Sequence, residues 1–324
     1  MPIGQNNGEF VERIRAGDMR ALSRAISLVE NNAPGANDLL SACFPFTGKA
    51  QVIGLTGAPG SGKSTLTHEV AKQFRAQGKT VGILAVDPTS PYTGGAILGD
   101  RIRMQQHEGD AGVYVRSMAT RGYLGGLART TADAATVLEA SGKDVLLIET
   151  VGVGQDEVDI VRLADVTLVM LVPGMGDDVQ SIKAGIMEIA NIFVVNKSDR
   201  EGADRVEREI RAMQSLTSHH GAHDWVPPVV RTVASEGVGV AELLAAVARY
   251  QDYLQQHGLQ IQKRAENWRT RLVEMLRQQF VERGIGDRMG REALDRHARA
   301  IAEHREDPYA LVPQLMEQWM GAAQ

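Results

Sequence analysis

Residues 57–65 read GAPGSGKST, between the apolar run QVIGLT and the helical pattern LTHEVAKQF. The spacing is G-x-x-x-x-G-K-[ST] in the strand–loop–helix setting that it requires. Such a loop needs a buried strand to launch it and a helix to receive it. Its glycines let successive backbone N–H groups turn inward around phosphate oxygens. The helix N-terminus adds the positive end of its dipole. Gly57, Ala58, Pro59, Gly60, Ser61, Gly62, Lys63, Ser64 and Thr65 are therefore the candidate phosphate ligands. Lys63 reaches the β- and γ-phosphates, and Ser64 offers its hydroxyl to magnesium.

The chain around this loop alternates short apolar, β-rich runs with helical stretches. QVIGLTG, TVGILAV, GVYVRS, DVLLIET, DVTLVMLV, IFVVNK and PVVRTVA are the strand candidates. This is the rhythm of an α/β fold with a mostly parallel central sheet and helices on both faces. Several runs are apolar throughout, as strands buried on both faces should be. Residues 1–48 read as an N-terminal helical extension, with Leu22, Ile26 and Val29 on one face and Asp18 at the N-cap position. A second short helix is expected over Ala36–Phe44. Residues 49–257 form the nucleotide domain. Residues 258–324 show only helical patterns, with Trp268, Leu272 and Leu276 on one stripe and Asp307-Pro308 opening the last helix.

With 324 residues and a net charge of −5, the chain gives no general reason to expect nucleic-acid binding. Its one cysteine, Cys43, lies in the apolar run LLSACF and reads as a small core residue. One cysteine excludes an intramolecular disulfide and fits a reducing compartment. No stretch approaches the uninterrupted apolar length of a membrane span, and residues 1–18 lack a signal-peptide core. A cytoplasmic protein is expected.

The base is read from IFVVNKSD, residues 192–199. This is N-K-x-D at a strand end. The Asp199 carboxylate can accept from guanine N1–H and the 2-amino group, whereas adenine offers an acceptor at N1 and no 2-amino group. Buried mismatches of that kind discriminate strongly. Asn196 and Lys197 hold the loop and the ring. A third base contact is expected from Ala234, Ser235 and Glu236, where GTPases carry Ser-Ala-x; Val233 stands in place of the serine.

LLIETVG, residues 146–152, falls where the magnesium and γ-phosphate strand of a P-loop GTPase belongs, with Glu149 in place of the common aspartate. Gly152 can aim its amide at the γ-phosphate. Asp87 closes another strand run at the ligand-binding edge, and Asp100 follows in a glycine-rich stretch. Ser64, Asp87, Asp100 and Glu149 form the expected magnesium set, and Lys63, Glu149 and Asp87 the expected catalytic set. Many GTPases place a glutamine after this glycine to orient water. Here Val153 follows Gly152 and Gln155 is displaced, so intrinsic hydrolysis should be slow. Arg101, Arg103, Arg116, Arg121 and Arg129 include a candidate arginine finger, although solvated or ion-paired arginines are the commoner case. The segment 173–183 could also respond to nucleotide state.

GAPGSGKST, VDPTS, ILGDRIRM, SMATRG, ETVGVGQ, NKSD and AGDMRALSRAISLVE together resemble the methylmalonyl-CoA mutase-associated GTPases of the MeaB/ArgK type, over roughly residues 9–320. In the larger group that includes nickel chaperones, E-x-x-G replaces D-x-x-G. The resemblance implies a GTP-dependent chaperone that gates cofactor loading of an adenosylcobalamin-dependent mutase and protects it. It implies Mg²⁺, GTP and GDP as ligands, and a homodimer held by C-terminal helices. A cobalamin adenosyltransferase is a further candidate partner. Two other classes share the loop. A small-molecule kinase would show an acceptor pocket. A partitioning ATPase would carry a lysine where Ala58 stands. A metallochaperone for another metal enzyme is a third alternative.

Overall fold

The computed structural model describes residues 7–87, 109–119, 126–150, 163–174, 189–217 and 224–321. Asp100, Gly152, Val153, Gln155, Arg101, Arg103, Arg121 and most of segment 173–183 lie outside them. The chain divides into two compact units, Met1–Arg264 and Ala265–Gln324.

The first unit is built on seven parallel strands: β1 Gln51–Gly57, β2 Val81–Asp87, β3 Val113–Ala119, β4 Val145–Glu149, β5 Val166–Leu171, β6 Ile192–Asn196 and β7 Val229–Thr232. Their order across the sheet is β3-β2-β4-β1-β5-β6-β7. Every residue of β4, β5 and β6 is buried, so these strands have no solvent face and no polar alternation. Parallel neighbours require crossovers, and helices supply them.

Among the described residues three α-helices precede the sheet: α1 Asn7–Arg15, α2 Met19–Glu30 and α3 Ala36–Cys43. The Asp18 carboxylate caps α2 by accepting from Arg20 N and Ala21 N, both at 3.0 Å. That satisfies two of the amides a helix start leaves open. Leu22, Ile26 and Val29 then share one core with Leu39, Leu84, Leu146 and Ile148. The helical extension is thus packed onto the sheet itself. Helix α5, Gly126–Ala140, completes that face. Cys43 is fully buried there, and burial pushes its thiol up to about 11.

The opposite face is covered by α4, Lys63–Ala76, and α7, Val240–Gln256. Leu66, Val70 and Phe74 of α4 meet Ile53, Leu55 and Leu147 from the sheet. Helix α6, Ala203–Thr217, packs its Val206 and Ile210 on Phe193 and Val195.

Helix α8, Leu259–Glu282, begins in the first unit. Its Lys263 Nζ donates to Asp165 O at 2.7 Å, to Asn191 Oδ1 at 3.0 Å and to Tyr250 Oη at 3.0 Å. Arg264 pairs with Asp165 and donates to Gly48 O. In the second unit the chain passes through a π-helical turn, Arg283–Met289, into α9, Arg291–Ala302, and α10, Pro308–Gly321. Phe280 and Trp319 pack with ring centroids 5.8 Å apart. A side chain at Gly284 would collide with the Trp319 ring, which explains the glycine.

Candidate functional site

The site lies along the carboxyl edge of the sheet, where parallel α/β folds bind ligands. Strand β1 ends at Gly57 with φ +150°, and a Cβ there would strike the carbonyl oxygen of Met170 in β5. Only glycine lets the chain leave the sheet this closely. Gly62 has φ +93°, and a Cβ on it would strike Asn196 Nδ2. The phosphate loop is therefore pressed against two neighbouring strands.

Lys63 is the first residue of α4 and is buried. Its Nζ donates to the carbonyls of Gly57, at 2.7 Å, and Ala58, at 3.0 Å. The ammonium is thus held across the loop mouth, already stripped of most of its water. One residue on, the Ser64 hydroxyl donates to Glu149 Oε1. Glu149 is 4% exposed at the end of β4, in register with Leu55 of β1 and Ala85 of β2. Asp87 closes β2 at the same sheet edge, paired in register with Ala119. The structure thus brings Ser64 and Glu149 into contact and sets Asp87 on the neighbouring strand end.

Asn196 closes β6 and is buried among three backbone segments. Its Nδ2 donates to Ser61 O at 2.8 Å. Its Oδ1 accepts from Thr232 Oγ1 at 3.0 Å and from Ala234 N at 3.1 Å. Lys197 has φ +55°, a left-handed conformation that costs an L-residue about 1–2 kcal/mol. Its Nζ donates to Gly60 O at 2.8 Å. Beside it Ser198 N donates to Thr232 O at 3.1 Å, which shapes the start of the loop that ends in Asp199. Asp199 is exposed.

The loop after β7 explains the departure at Val233. Its backbone pairs with Val238 through Val233 N to Val238 O at 3.0 Å and Val238 N to Val233 O at 3.3 Å. That bridge closes a loop around the single 3-10 turn Ala234–Glu236. The side chain at position 233 is not needed for the closure. Ala234 is buried and its backbone N–H donates to Asn196 Oδ1, while Ser235 and Glu236 are exposed.

Two arginines are accounted for elsewhere. Arg116 is paired with Glu30 of α2 and donates to Ser27 Oγ at 3.2 Å. Arg129 pairs with Asp133 at 3.4 Å and donates to Asn32 Oδ1 at 3.0 Å. Both tie α2 and its following turn to the sheet and α5. They are structural ion pairs, the commoner of the two expectations. Thr232, which completes the Asn196 junction, carries no local sequence signal; its role follows only from the β6–β7 register.

Ser64 and Glu149 present a hydroxyl and a buried carboxylate, an all-oxygen pair of the hard type that suits magnesium. Among the described residues no three or more His, Cys, Asp or Glu gather as a cage. Magnesium fits such a site, because it is usually held by one or two carboxylates plus substrate phosphates.

A family model described as methylmalonyl Co-A mutase-associated GTPase MeaB matches residues 22–288. A protein of Pyrococcus abyssi named as a GTPase is 45% identical over 317 residues, covering 97% of each chain. The GTPase ArgK of Escherichia coli is 33% identical over 320 residues, covering 95% of each. Among solved structures, a LAO/AO transport system kinase superposes with a TM-score of 0.70 at 27% identity, covering 97% of each chain.

Proposed function

Because the chain belongs to the methylmalonyl Co-A mutase-associated GTPase MeaB family and is a P-loop GTPase, we propose that it is a GTP-driven chaperone of an adenosylcobalamin-dependent methylmalonyl-CoA mutase. In this reading it binds the mutase, gates loading of the cofactor and protects the loaded enzyme in the cytoplasm. The observation that carries the nucleotide half is the Asn196 junction, which welds the base loops to the phosphate loop through Ser61 and Ala234. The family description supports the mutase half.

The residues divide the work as follows. The buried Lys63 ammonium meets the β- and γ-phosphates in place of the Gly57 and Ala58 carbonyls. Ser64 and Glu149, with Asp87 beside them, hold Mg²⁺, which neutralises developing phosphate charge when bound. Asp199 selects guanine. The free protein turns over slowly, since Val153 stands where a water-orienting glutamine is usual, and the mutase completes the geometry. The homodimer forms through residues 258–324, a reading supported by the exposure of Trp268, Leu272 and Leu276.

The test mixes the purified protein with the mutase of its own organism, in GDP and in a non-hydrolysable GTP analogue. Complex formation that differs between the two nucleotides, with faster GTP turnover in the complex, is expected. No complex in either state removes the mutase from the reading. The kinase name of the solved relative favours a second reading, phosphoryl transfer to a small acceptor. That reading predicts labelled γ-phosphate on an acceptor; hydrolysis releases all of it as inorganic phosphate.

A further inference from the structure

The end of β4 is held from both faces of the sheet. On the α4 face Glu149 accepts from Ser64. Side chains alternate along a strand, so the next residue, Thr150, points to the opposite face. There its Oγ1 donates to Thr56 Oγ1 at 3.1 Å, with Leu55 O an alternative acceptor at 3.4 Å. The Thr150 amide donates to Leu55 O at 3.0 Å, which carries the β1–β4 ladder one step past Glu149. Thr56 is 1% exposed and Thr150 fully buried. Thr56 directly precedes Gly57, the first residue of the phosphate loop. The two hydroxyls therefore join the residue before that loop to the residue after Glu149.

We infer that Thr150, through its hydroxyl bond to Thr56, is a positioning residue for Glu149, fixing the carboxylate against Ser64 for magnesium-dependent GTP hydrolysis. The inference rests on the assignment of Ser64 and Glu149 to the magnesium site proposed above. Its physical basis is geometric. Both threonines lie on the face opposite α4, away from the Ser64–Glu149 contact. Glu149 can shift along the strand axis only if Thr150 shifts with it. Removing either hydroxyl deletes this bond and loosens that arrangement. Two bonds on opposite faces at adjacent residues resist rotation of the strand end better than either alone.

The experiment is a double-mutant cycle on the full-length protein: T56V, T150V, the pair, and T150S. Valine keeps the branched shape and removes the hydroxyl. The readouts are the Mg²⁺ concentration for half-maximal GTP turnover, kcat, and GDP affinity in EDTA. We expect T150V and T56V each to raise the half-saturating Mg²⁺ and lower kcat by roughly threefold to tenfold, the worth of one buried hydrogen bond. The double variant should be no worse than either single one, because both delete the same bond. T150S should restore the parent Mg²⁺ dependence, and GDP affinity without Mg²⁺ should stay at the parent value throughout. A purely structural pair would lower the melting temperature and leave the Mg²⁺ dependence unchanged; that outcome, or independent multiplicative losses in the double variant, overturns the inference. If T150V fails to fold, T56V and T150S decide the same question. A parent protein with no Mg²⁺-dependent GTP turnover would instead overturn the functional reading on which the inference stands.

Discussion

Asn196 donates through Nδ2 to the carbonyl of Ser61 at 2.8 Å, so the strand that carries the base-reading loop grips the backbone of the phosphate loop. The same side chain accepts from Ala234 N, which brings the third base loop into the junction. The loops proposed to read the base and the phosphates are therefore joined mechanically. Asn196→Ala should leave the Ala234 amide and the Thr232 hydroxyl without their acceptor. Each buried unpaired group costs about 1–3 kcal/mol. GTP and GDP affinities should both fall at least about tenfold by calorimetry, with selectivity for guanine largely kept. Undiminished affinity would show that the junction is dispensable.

Asp199→Asn separates base reading from that architecture. Asp199 is exposed and takes no part in the junction, so the variant should fold as the parent does. An amide exchanges an acceptor for a donor, so affinity should fall for GTP and rise for xanthosine triphosphate. The competition between the two nucleotides measures it. An unchanged ratio places base selection elsewhere.

Lys63 and Glu149 should fail in different ways. Lys63 spans the loop mouth and meets both terminal phosphates in the proposed complex. Lys63→Ala should lose nucleotide affinity and turnover together. Glu149 meets the loop at Ser64, whose hydroxyl donates to it. Glu149→Ala should bind GDP nearly as the parent does and lose turnover, by at least about tenfold in kcat. Full turnover of Glu149→Ala at ordinary Mg²⁺ would refute its assignment.

Much of this was legible beforehand, and the reasons differ by element. The strands stand out as short, mostly apolar runs, and β4, β5 and β6 are buried at every residue because helices cover both faces. The phosphate loop is legible because Gly57 and Gly62 sit where a Cβ would collide with Met170 and Asn196. The strand order is not legible, since pairing partners are chosen by tertiary packing and leave no mark on local periodicity. The same holds for Thr232 and for the Thr56–Thr150 bond, which join residues far apart in the chain. Arg116 illustrates the converse. It belongs to an arginine-rich stretch in which the sequence admits an arginine finger but favours ion pairs, and its partner Glu30 in α2 could be found only from the fold.

Acid stability should report a bond remote from the nucleotide edge. The Asp144 carboxylate accepts from Thr80 N at 2.7 Å and Thr80 Oγ1 at 2.8 Å, joining the segments that enter β4 and β2. The Thr80 amide first, and its hydroxyl second, hold the Asp144 carboxyl below its ordinary value of 3.8. The unfolded chain therefore binds this proton more readily than the folded one. Stability from this group is present above the unfolded value and is lost as pH falls through the folded one. Asp144→Asn should be less stable than the parent at pH about 6, and the difference should shrink below pH about 4. Urea midpoints at the two pH values test it; a gap independent of pH would assign the effect to shape alone.

The start of α8 decides where a dimer truncation should be made. Lys263 and Arg264, in the opening turns of this helix, are tied within the first unit to Asp165, Asn191, Tyr250 and Gly48. Hydrogen bonds to charged groups contribute about 1.5–3 kcal/mol each when well formed. A chain ending at Gln256 lacks these ties and the helix start that carries them. A chain ending at Arg264 keeps both and coincides with the boundary of the compact unit. Beyond it, Trp268, Leu272 and Leu276 are 42%, 54% and 61% exposed, an apolar stripe of the kind that marks an interface. The 1–264 chain should bind GDP as the full chain does and run as a monomer by light scattering, while the full chain runs as a dimer. The 1–256 chain should melt lower than the 1–264 chain, because it has lost the Asp165 clasp. A dimeric 1–264 chain would move the interface into the nucleotide unit, and equal melting of the two truncations would show that Lys263 and Arg264 hold the helix without stabilising the sheet.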